Sequence, residues 1–281
     1  ISKSSKPGID VEFNFAQVGI KTSYVDWSGT CGNISSAVGP FAINQGLVEL
    51  KKPVTEVTVL ATNTGKTFLS SVPVSDEGPV PCGDFAIDGV PGTASKIALK
   101  FHDPGGSLGK GLLPTKSLID YIKTPLNGIF KVSIIDVGIP TIFVAAEAFS
   151  YKMSCTLEDL DKDFETQNAL EAIRCEVAVL LGISNDVETA HNESQALPKI
   201  VVIDSKSTYV SRAKQEINSA NIDLRAIAIS MGQAHRTYPV SVSMATAVAA
   251  NIRGTLVSEI VKDIKVGRLS IGHPGGLMKL E

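Results

Sequence analysis

The sequence predicts an α+β protein of two pseudo-equivalent halves, each mostly sheet wrapped around one central helix. Two observations carry this. Ile34, Ala37, Val38, Phe41 and Ala42 recur at i, i+3, i+4, i+7 and i+8, one face of a helix, and Val242, Ala245, Thr246, Ala249 and Ile252 repeat that spacing in the second half. The first helix stops at Gly46-Leu47-Val48 and the second at Gly254-Thr255-Leu256-Val257. Both are dense in Ala, Ser and Gly, so surrounding elements can approach closely from every side. Two central helices whose N-termini point at a shared cleft fit a ligand bound between the halves.

The other elements follow in order. Val11, Phe13 and Phe15 alternate with Glu12, Asn14 and Ala16, a strand with one buried face. Strand-like runs then span Val54 to Leu60, Thr67 to Val72, Phe85 to Val90 and Lys96 to Phe101, divided by Gly, Pro, Asn and Asp clusters. A glycine-rich loop, His102 to Gly111, leads to a short helical stretch ending near Lys123. Thr124-Pro125-Leu126-Asn127-Gly128 reads as a linker, which sets the first domain at residues 1–127 and the second at 128–264. In the second, Phe130 to Val137 and Thr141 to Ala145 open as strands, Leu157 to Leu181 has helical spacing, and Lys199 to Ile203 and Ile222 to Ile229 return to strand. Residues 265–281, with a turn at His273-Pro274-Gly275-Gly276 between two strands, are expected to complete the first domain.

With 43% hydrophobic and 20% charged residues the chain has the balance of a soluble globular protein, and no apolar run approaches the ~20 residues of a membrane span. A net charge of −3 supplies no general field for nucleic acid or an acidic membrane, so an anionic ligand must be held locally. Cys31, Cys82, Cys155 and Cys175 form no CxxC pair and share no metal-ligand spacing with the four histidines. Free thiols, no metal and a cytoplasmic location are the expectation, and a homo-oligomer is compatible with it.

Cys31 is the candidate for chemistry. Ser28, Gly29, Thr30 and Gly32 suit a turn and a helix start, which sets the thiol at a helix N-terminus. The unpaired N–H groups there can hold an anion or favour a thiolate; a small buried residue at a tight helix start is the equally weighted alternative. Pro40 should bend this helix, since it removes a hydrogen bond.

Phe15-Ala16-Gln17-Val18, Val25-Asp26-Trp27-Ser28-Gly29-Thr30-Cys31-Gly32-Asn33, Asn63-Thr64-Gly65-Lys66, Ala228-Ile229-Ser230-Met231-Gly232 and Gly272-His273-Pro274-Gly275-Gly276 together resemble the PrpF family, in order along the whole chain. That resemblance implies a diaminopimelate epimerase-like fold, with two similar α/β domains, each a curled mixed sheet around a central helix. It implies a cofactor-independent isomerase that shifts a proton and a double bond in a small unsaturated di- or tricarboxylate such as 2-methylaconitate, aconitate or methylitaconate. Another isomerase or racemase on this fold, or a non-catalytic carboxylate-binding protein, is the alternative. The second helix opens Pro239-Val240-Ser241-Val242-Ser243 without a cysteine, which argues against a two-thiol racemase.

On the resemblance, Cys31 is a proton donor or a pocket wall, and Ser28, Gly32, Asn33, Ser241 and Ser243 are candidate carboxylate contacts. Asn63 and Thr64 join them, against the simpler reading of an ordinary turn, and Lys66 is either a substrate cation or an exposed strand lysine. Met231, Gly232 and His235 are expected to line the pocket, and His273 and Gly275 are divided between turn and substrate contact. In the family a lysine of a Thr-Ser-Lys motif is the favoured base. The resemblance places it before Ile1, so Lys3 is not that base, and an N-terminally incomplete isomerase with an open groove beside Cys31 is expected.

Overall fold

The computed structural model describes residues 1–19, 23–125, 128–153, 156–262 and 267–280. Cys155, Leu126-Asn127 in the expected linker, and the expected seam at residues 264 and 265 lie outside them.

Two mixed sheets form the framework. The first runs Ser2–Lys3, Val11–Phe13, Val54–Ala61, Lys66–Ser75 and Gly78–Pro79, with Ala98–His102 also paired to Lys66–Ser75. Val11–Phe13 lies parallel to Val54–Ala61, and the remaining pairs are antiparallel. The second runs Gly276–Leu280, Leu269–His273, Leu224–Ser230, Lys199–Ser205, Ile139–Ala145, Gly128–Val137 and Asp120–Thr124, with Gln233–Ala234 paired to Leu224–Ser230.

The chain's C-terminal hairpin therefore extends the second sheet, through Leu224↔Ile271, and does not complete the first. The seam expected at 127/128 also moves, because Asp120–Thr124 pairs antiparallel with Gly128–Val137 across the would-be linker. The helical stretch expected up to Lys123 is this strand. Its exposure alternates, Tyr121 and Lys123 out, Ile122 and Thr124 in, the period of a sheet and not of a helix. Phe85 to Val90 contributes only the bridge Phe85↔Ala94. Leu157 to Leu181 divides into helices Leu157–Lys162 and Phe164–Leu180, because the Asp163 carboxylate caps the second, accepting from Thr166 N–H. A further helix, Val187–Glu193, starts on Asp186 in the same way.

The central helices are Gly32–Asn44 and Val240–Asn251. The second buries the expected positions Val242, Ala245, Thr246 and Ala249. The first keeps Val38 and Ala42 of its expected face: Ile34, Ala37 and Phe41 are exposed, and Gly32, Ser35, Gly39 and Ile43 face inward instead. Gly39 sets this rotation. A Cβ there would stand 2.4 Å from Ser70 Oγ and 2.7 Å from Val72 Cγ2, so the helix lies on the first sheet along its glycine. Pro40 lies within the helix and is half-buried. No described helix is long and apolar enough to cross a membrane.

Polar ties join the halves around the helix starts. Asp26, buried, accepts from Ser28 N–H (2.8 Å) and Oγ (2.6 Å) through Oδ1 and from Ala196 N–H (2.9 Å) through Oδ2. The Tyr24 hydroxyl donates to the Glu193 carbonyl, and Asp88 Oδ2 accepts from Leu277 N–H at 2.7 Å.

Gly39→Ala separates two effects of opposite sign. Helix propensity alone favours alanine by about 1 kcal/mol, whereas crowding a packed interface costs about 1–3 kcal/mol. Contact with Ser70 and Val72 should win, and urea unfolding should show a lower midpoint for the variant. A raised midpoint would mean that the helix can lift off the sheet without loss.

Candidate active site between the helix starts

The two central helices meet head to head. A Cβ on Gly32 would lie 2.9 Å from Val240 Cβ and 3.0 Å from Ser241 N, a separation only glycine permits. Asn33 Oδ1 accepts from Val240 N–H at 3.0 Å, so the first helix supplies an N-cap to the second, whose own preceding residue is Pro239. Cys31 is the residue before the first helix, extended at φ −122° and ψ 109°, and its side chain makes no capping bond. Its carbonyl accepts from Ser35 N–H and Oγ at 3.0 and 2.8 Å. A half-buried thiol thus stands where the positive ends of two helix dipoles converge.

A pocket beside this junction is walled by Thr30, Gly32, Thr64, Lys66, Ser241 and Met244. Thr30 Oγ1 is buried there with no hydrogen-bond partner among the described residues. The Lys66 ammonium donates to the carbonyls of Asp103 and Gly105, both at 2.9 Å, which pins the glycine-rich loop to the strand and leaves one N–H for the pocket.

Other expected contacts are used within the protein. Ser28 is spent on Asp26, and Ser243 Oγ donates to the Val240 carbonyl at 2.8 Å. Asn63 fastens two segments, accepting from Phe15 N–H (2.7 Å) and donating to the carbonyls of Phe15 (2.9 Å) and Trp27 (2.8 Å). Met231 and Gly232 have φ of +54° and +68°, the two left-handed positions of a tight hairpin turn. His273 and Gly275 lie at the seam between the halves: a Cβ on Gly275 would be 3.0 Å from the Cα of Gly89 and 3.1 Å from the His273 ring. His273 Nδ1 accepts from Gly275 N–H at 3.1 Å. His235 Nδ1 accepts from Thr237 N–H at 3.2 Å.

Lys199, which the sequence reading passed over, lies within electrostatic reach of Cys31 and Asp26. It opens strand Lys199–Ser205, where Ile200 and Val202 enter the outer core while Val201 and Ile203 enter the core around the second central helix. Alternation therefore turns Lys199 toward the central-helix face. Its Nζ donates to Ser230 Oγ at 2.6 Å and, among the described residues, it forms no ion pair. Burial pushes the ammonium down to about 8, Cys31 and Asp26 pull it back up, and Arg174 lowers it further. Part of the residue still reaches solvent.

Arg174 organises the approach to Lys199. It donates to the carbonyls of Ala190 (2.8 Å), Ser194 (2.7 Å) and Leu197 (3.1 Å), and pairs with Glu171 at 2.6 Å. Glu171, Cys175 and His191 converge within 4.8 Å, a geometry that could suit a metal ion. Arg174 Nη2 donates to both Glu171 and Cys175 there, so a cation already fills the role, and burial pushes the Cys175 thiol up to about 12.

Two mixed sheets, each carrying a central helix, with the helix starts opposed across a cleft and a thiol at one of them, define a diaminopimelate epimerase-like α+β protein. A hydroxyproline epimerase from Agrobacterium vitis shares this fold, at a TM-score of 0.53 and 10% identity over 99% of this chain and 64% of that one. The chain belongs to the PrpF family, whose profile, described as PrpF protein, matches residues 1–281. It is 34% identical to the 2-methyl-aconitate isomerase of Cupriavidus necator over 287 residues, covering all of this chain and 72% of the relative. A crystal structure of methylitaconate-delta-isomerase superposes with a TM-score of 0.81 at 35% identity, covering 99% of this chain and 72% of the other.

Burial at the seam drives His273 down to about 4, an effect that Asp88 opposes and His235 reinforces. The folded protein keeps this ring neutral while the unfolded chain protonates it near 6.5, so folding releases a proton between those values. Stability should be full above about pH 7 and fall by roughly 3 kcal/mol as pH drops through 6.5 toward 4. Urea titrations at several pH values check this, and His273→Gln should flatten that part of the slope.

Proposed function

We propose that this protein is an isomerase moving a proton, and with it a double bond, along a small unsaturated di- or tricarboxylate of the 2-methylaconitate, aconitate or methylitaconate type, without a cofactor. The observation that carries the reading is the opposition of two helix N-termini with Cys31 at one of them. Such termini hold carboxylates through backbone N–H groups. A carboxylate so held accepts the charge of the dienolate that forms when an allylic C–H is deprotonated, and fixed dipoles need no rearrangement to stabilise it. On this reading the Cys31 sulfur takes the allylic proton and returns one at the other end of the allyl system, so that it ends the turnover as it began. The second helix start leaves the N–H groups of Ser241 and Val242 and carries no thiol, so one sulfur serves a shift along the carbon chain, not inversion at a single carbon between two thiols. Free thiols at Cys31 and Cys82 accord with a reducing compartment, the cytoplasm.

The protein incubated with 2-methylaconitate, aconitate or methylitaconate in deuterated water should lose the allylic proton signal of at least one of them. Measurable binding with no exchange in any would overturn the reading in favour of a carboxylate-binding protein. Cys31→Ser keeps the size and hydrogen bonding of the side chain but is a far weaker acid. It should keep the wild-type fold by circular dichroism and lower exchange by about a hundredfold, the lower end for loss of a general acid.

A further inference from the structure

We propose that the cavity beside Arg225, on the outer face of the second sheet, is a binding site for a small organic oxyanion, a carboxylate or phosphate monoester with a short apolar body. It is separate from the cleft between the helix starts and does not depend on the isomerase reading.

Strand alternation decides which way Arg225 faces. Leu224 and Ala226 enter the core around the second central helix and Ile227 enters the outer core, so Arg225 points away from the helix junction. Ser230, which meets Lys199, is five residues further along the same strand, roughly 17 Å at the rise of a strand. A cavity of about 400 Å³ lies at the Arg225 end, bounded by the start of helix Leu157–Lys162 and by Tyr209–Val210, which pairs with Glu216–Ile217. Thr208, Ser211, Arg212 and Arg225 supply polar lining, and Leu157, Val210, Ile227 and Pro274 supply apolar walls.

The argument is one of unfilled donors and uncompensated charge. Arg225 is only 8% exposed, yet it forms no ion pair among the described residues. Its guanidinium lies over the Tyr209 ring, 4.1 Å from the centroid, and the Tyr209 hydroxyl is held in turn on the His273 carbonyl at 2.7 Å. The ring covers a face of the guanidinium plane and leaves its N–H edge, the part that grips a carboxylate or phosphoryl group bidentately. Of five donors, one reaches Ser207 Oγ at a long 3.4 Å. Asp204 is the cross-strand neighbour, but it lies beyond ion-pair distance and its Oδ1 accepts from Ser205 N–H at 2.7 Å. Burial draws the pKa of Arg225 down, opposed by Tyr209, Tyr151 and Asp204, as befits a desolvated charge that its surroundings do not fully offset. Such a charge is costly to bury unless something of opposite sign meets it.

The neighbouring hydroxyls suit the same ligand. Thr208 Oγ1 accepts from Ser219 N–H at 3.1 Å, and the buried Ser211 Oγ accepts from Gln215 N–H at 3.3 Å. Neither donates to a described residue, so each keeps its O–H. The one carboxylate among the described lining residues, Glu158, is paired with Arg212 at 2.6 Å. A buried guanidinium edge and two hydroxyl donors select an oxyanion, and the apolar walls leave room for carbon beside it.

Phenyl phosphate and benzoate carry the two anionic groups on the same ring, and inorganic phosphate lacks the ring. Isothermal titration calorimetry at neutral pH and low salt should detect binding of at least one aromatic anion, tighter than that of inorganic phosphate, and the tighter of the two identifies the anionic group. Arg225→Met should keep the circular dichroism of the wild type and weaken this binding at least tenfold, as loss of a charge-assisted contact does. Arg225→Lys, which keeps the charge without the fork, should recover only part of it. Glu158→Gln frees Arg212 and should tighten binding about threefold, the scale of an exposed ion pair. Thr208→Val combined with Ser211→Ala leaves Arg225 in place and should weaken binding about tenfold; this variant decides the matter if Arg225→Met loses the native spectrum. No binding of either aromatic anion, or wild-type affinity in a folded Arg225→Met or in the double variant, would overturn the proposal.

Discussion

The structure depends on one close approach, that of Gly32 to Val240 and Ser241. Two helix N-termini repel each other through like partial charges, and bringing them within van der Waals contact requires forces from elsewhere. Small residues make the approach possible sterically, with Gly32 at the contact and Gly39 letting its helix settle on Ser70 and Val72. Polar ties then hold it: Asn33 on Val240, Asp26 on Ala196, and Asp88 on Leu277. Each tie sets a side chain of the first half on a backbone N–H of the second. The register between the halves is therefore specified at several points around the cleft.

This arrangement accounts for the division of labour among polar side chains. Asn33, Asn63, Ser28 and Ser243 carry donors and acceptors suited to a carboxylate, and the fold spends them on its own backbone. Among the described residues, the Thr30 hydroxyl, one N–H of Lys66, the donors of Lys199 beyond Ser230 and amides at the helix starts are not spent in this way. These unspent donors are mainly main-chain dipoles and two lysines. That balance suits a small polyanion with few features besides its charges.

Much of this was legible in the sequence because it is local. Helical spacing gave both central helices, Cys31 was read at a helix start from Ser28 to Gly32, and His273 to Gly276 was read as a turn. Errors arose where a non-local contact outweighed a local pattern. Ile34 and Phe41 lie outward because the close fit at Gly39 rotates the helix, a preference no apolar count reveals. The strand Asp120–Thr124 is fixed by its pairing with Gly128–Val137, and the C-terminal hairpin by parallel pairing with Leu224–Ser230. Lys199 was invisible as a site residue because a lysine opening an apolar run is ordinary in sequence. The segment that enters it, Ala196 and Leu197, packs on the loop before Cys31, a contact far away in sequence. The one available signal was its position on the same strand face as Val201 and Ile203, which enter the core around the second central helix.

Neither central helix is capped by the residue that precedes it: Cys31 makes no side-chain bond to its helix, and Pro239 has none to make. A side-chain cap is worth about 1 kcal/mol, and Asn33 restores one for the second helix alone. The start of the first helix is left incomplete in the protein by itself, and a bound carboxylate would finish it as a cap does. Folding and occupancy are then linked through the same amides. At a hundred times its dissociation constant such a ligand adds about 2.7 kcal/mol to the stability of the folded state, so the abundance of substrate would itself govern how long the protein resists unfolding and proteolysis.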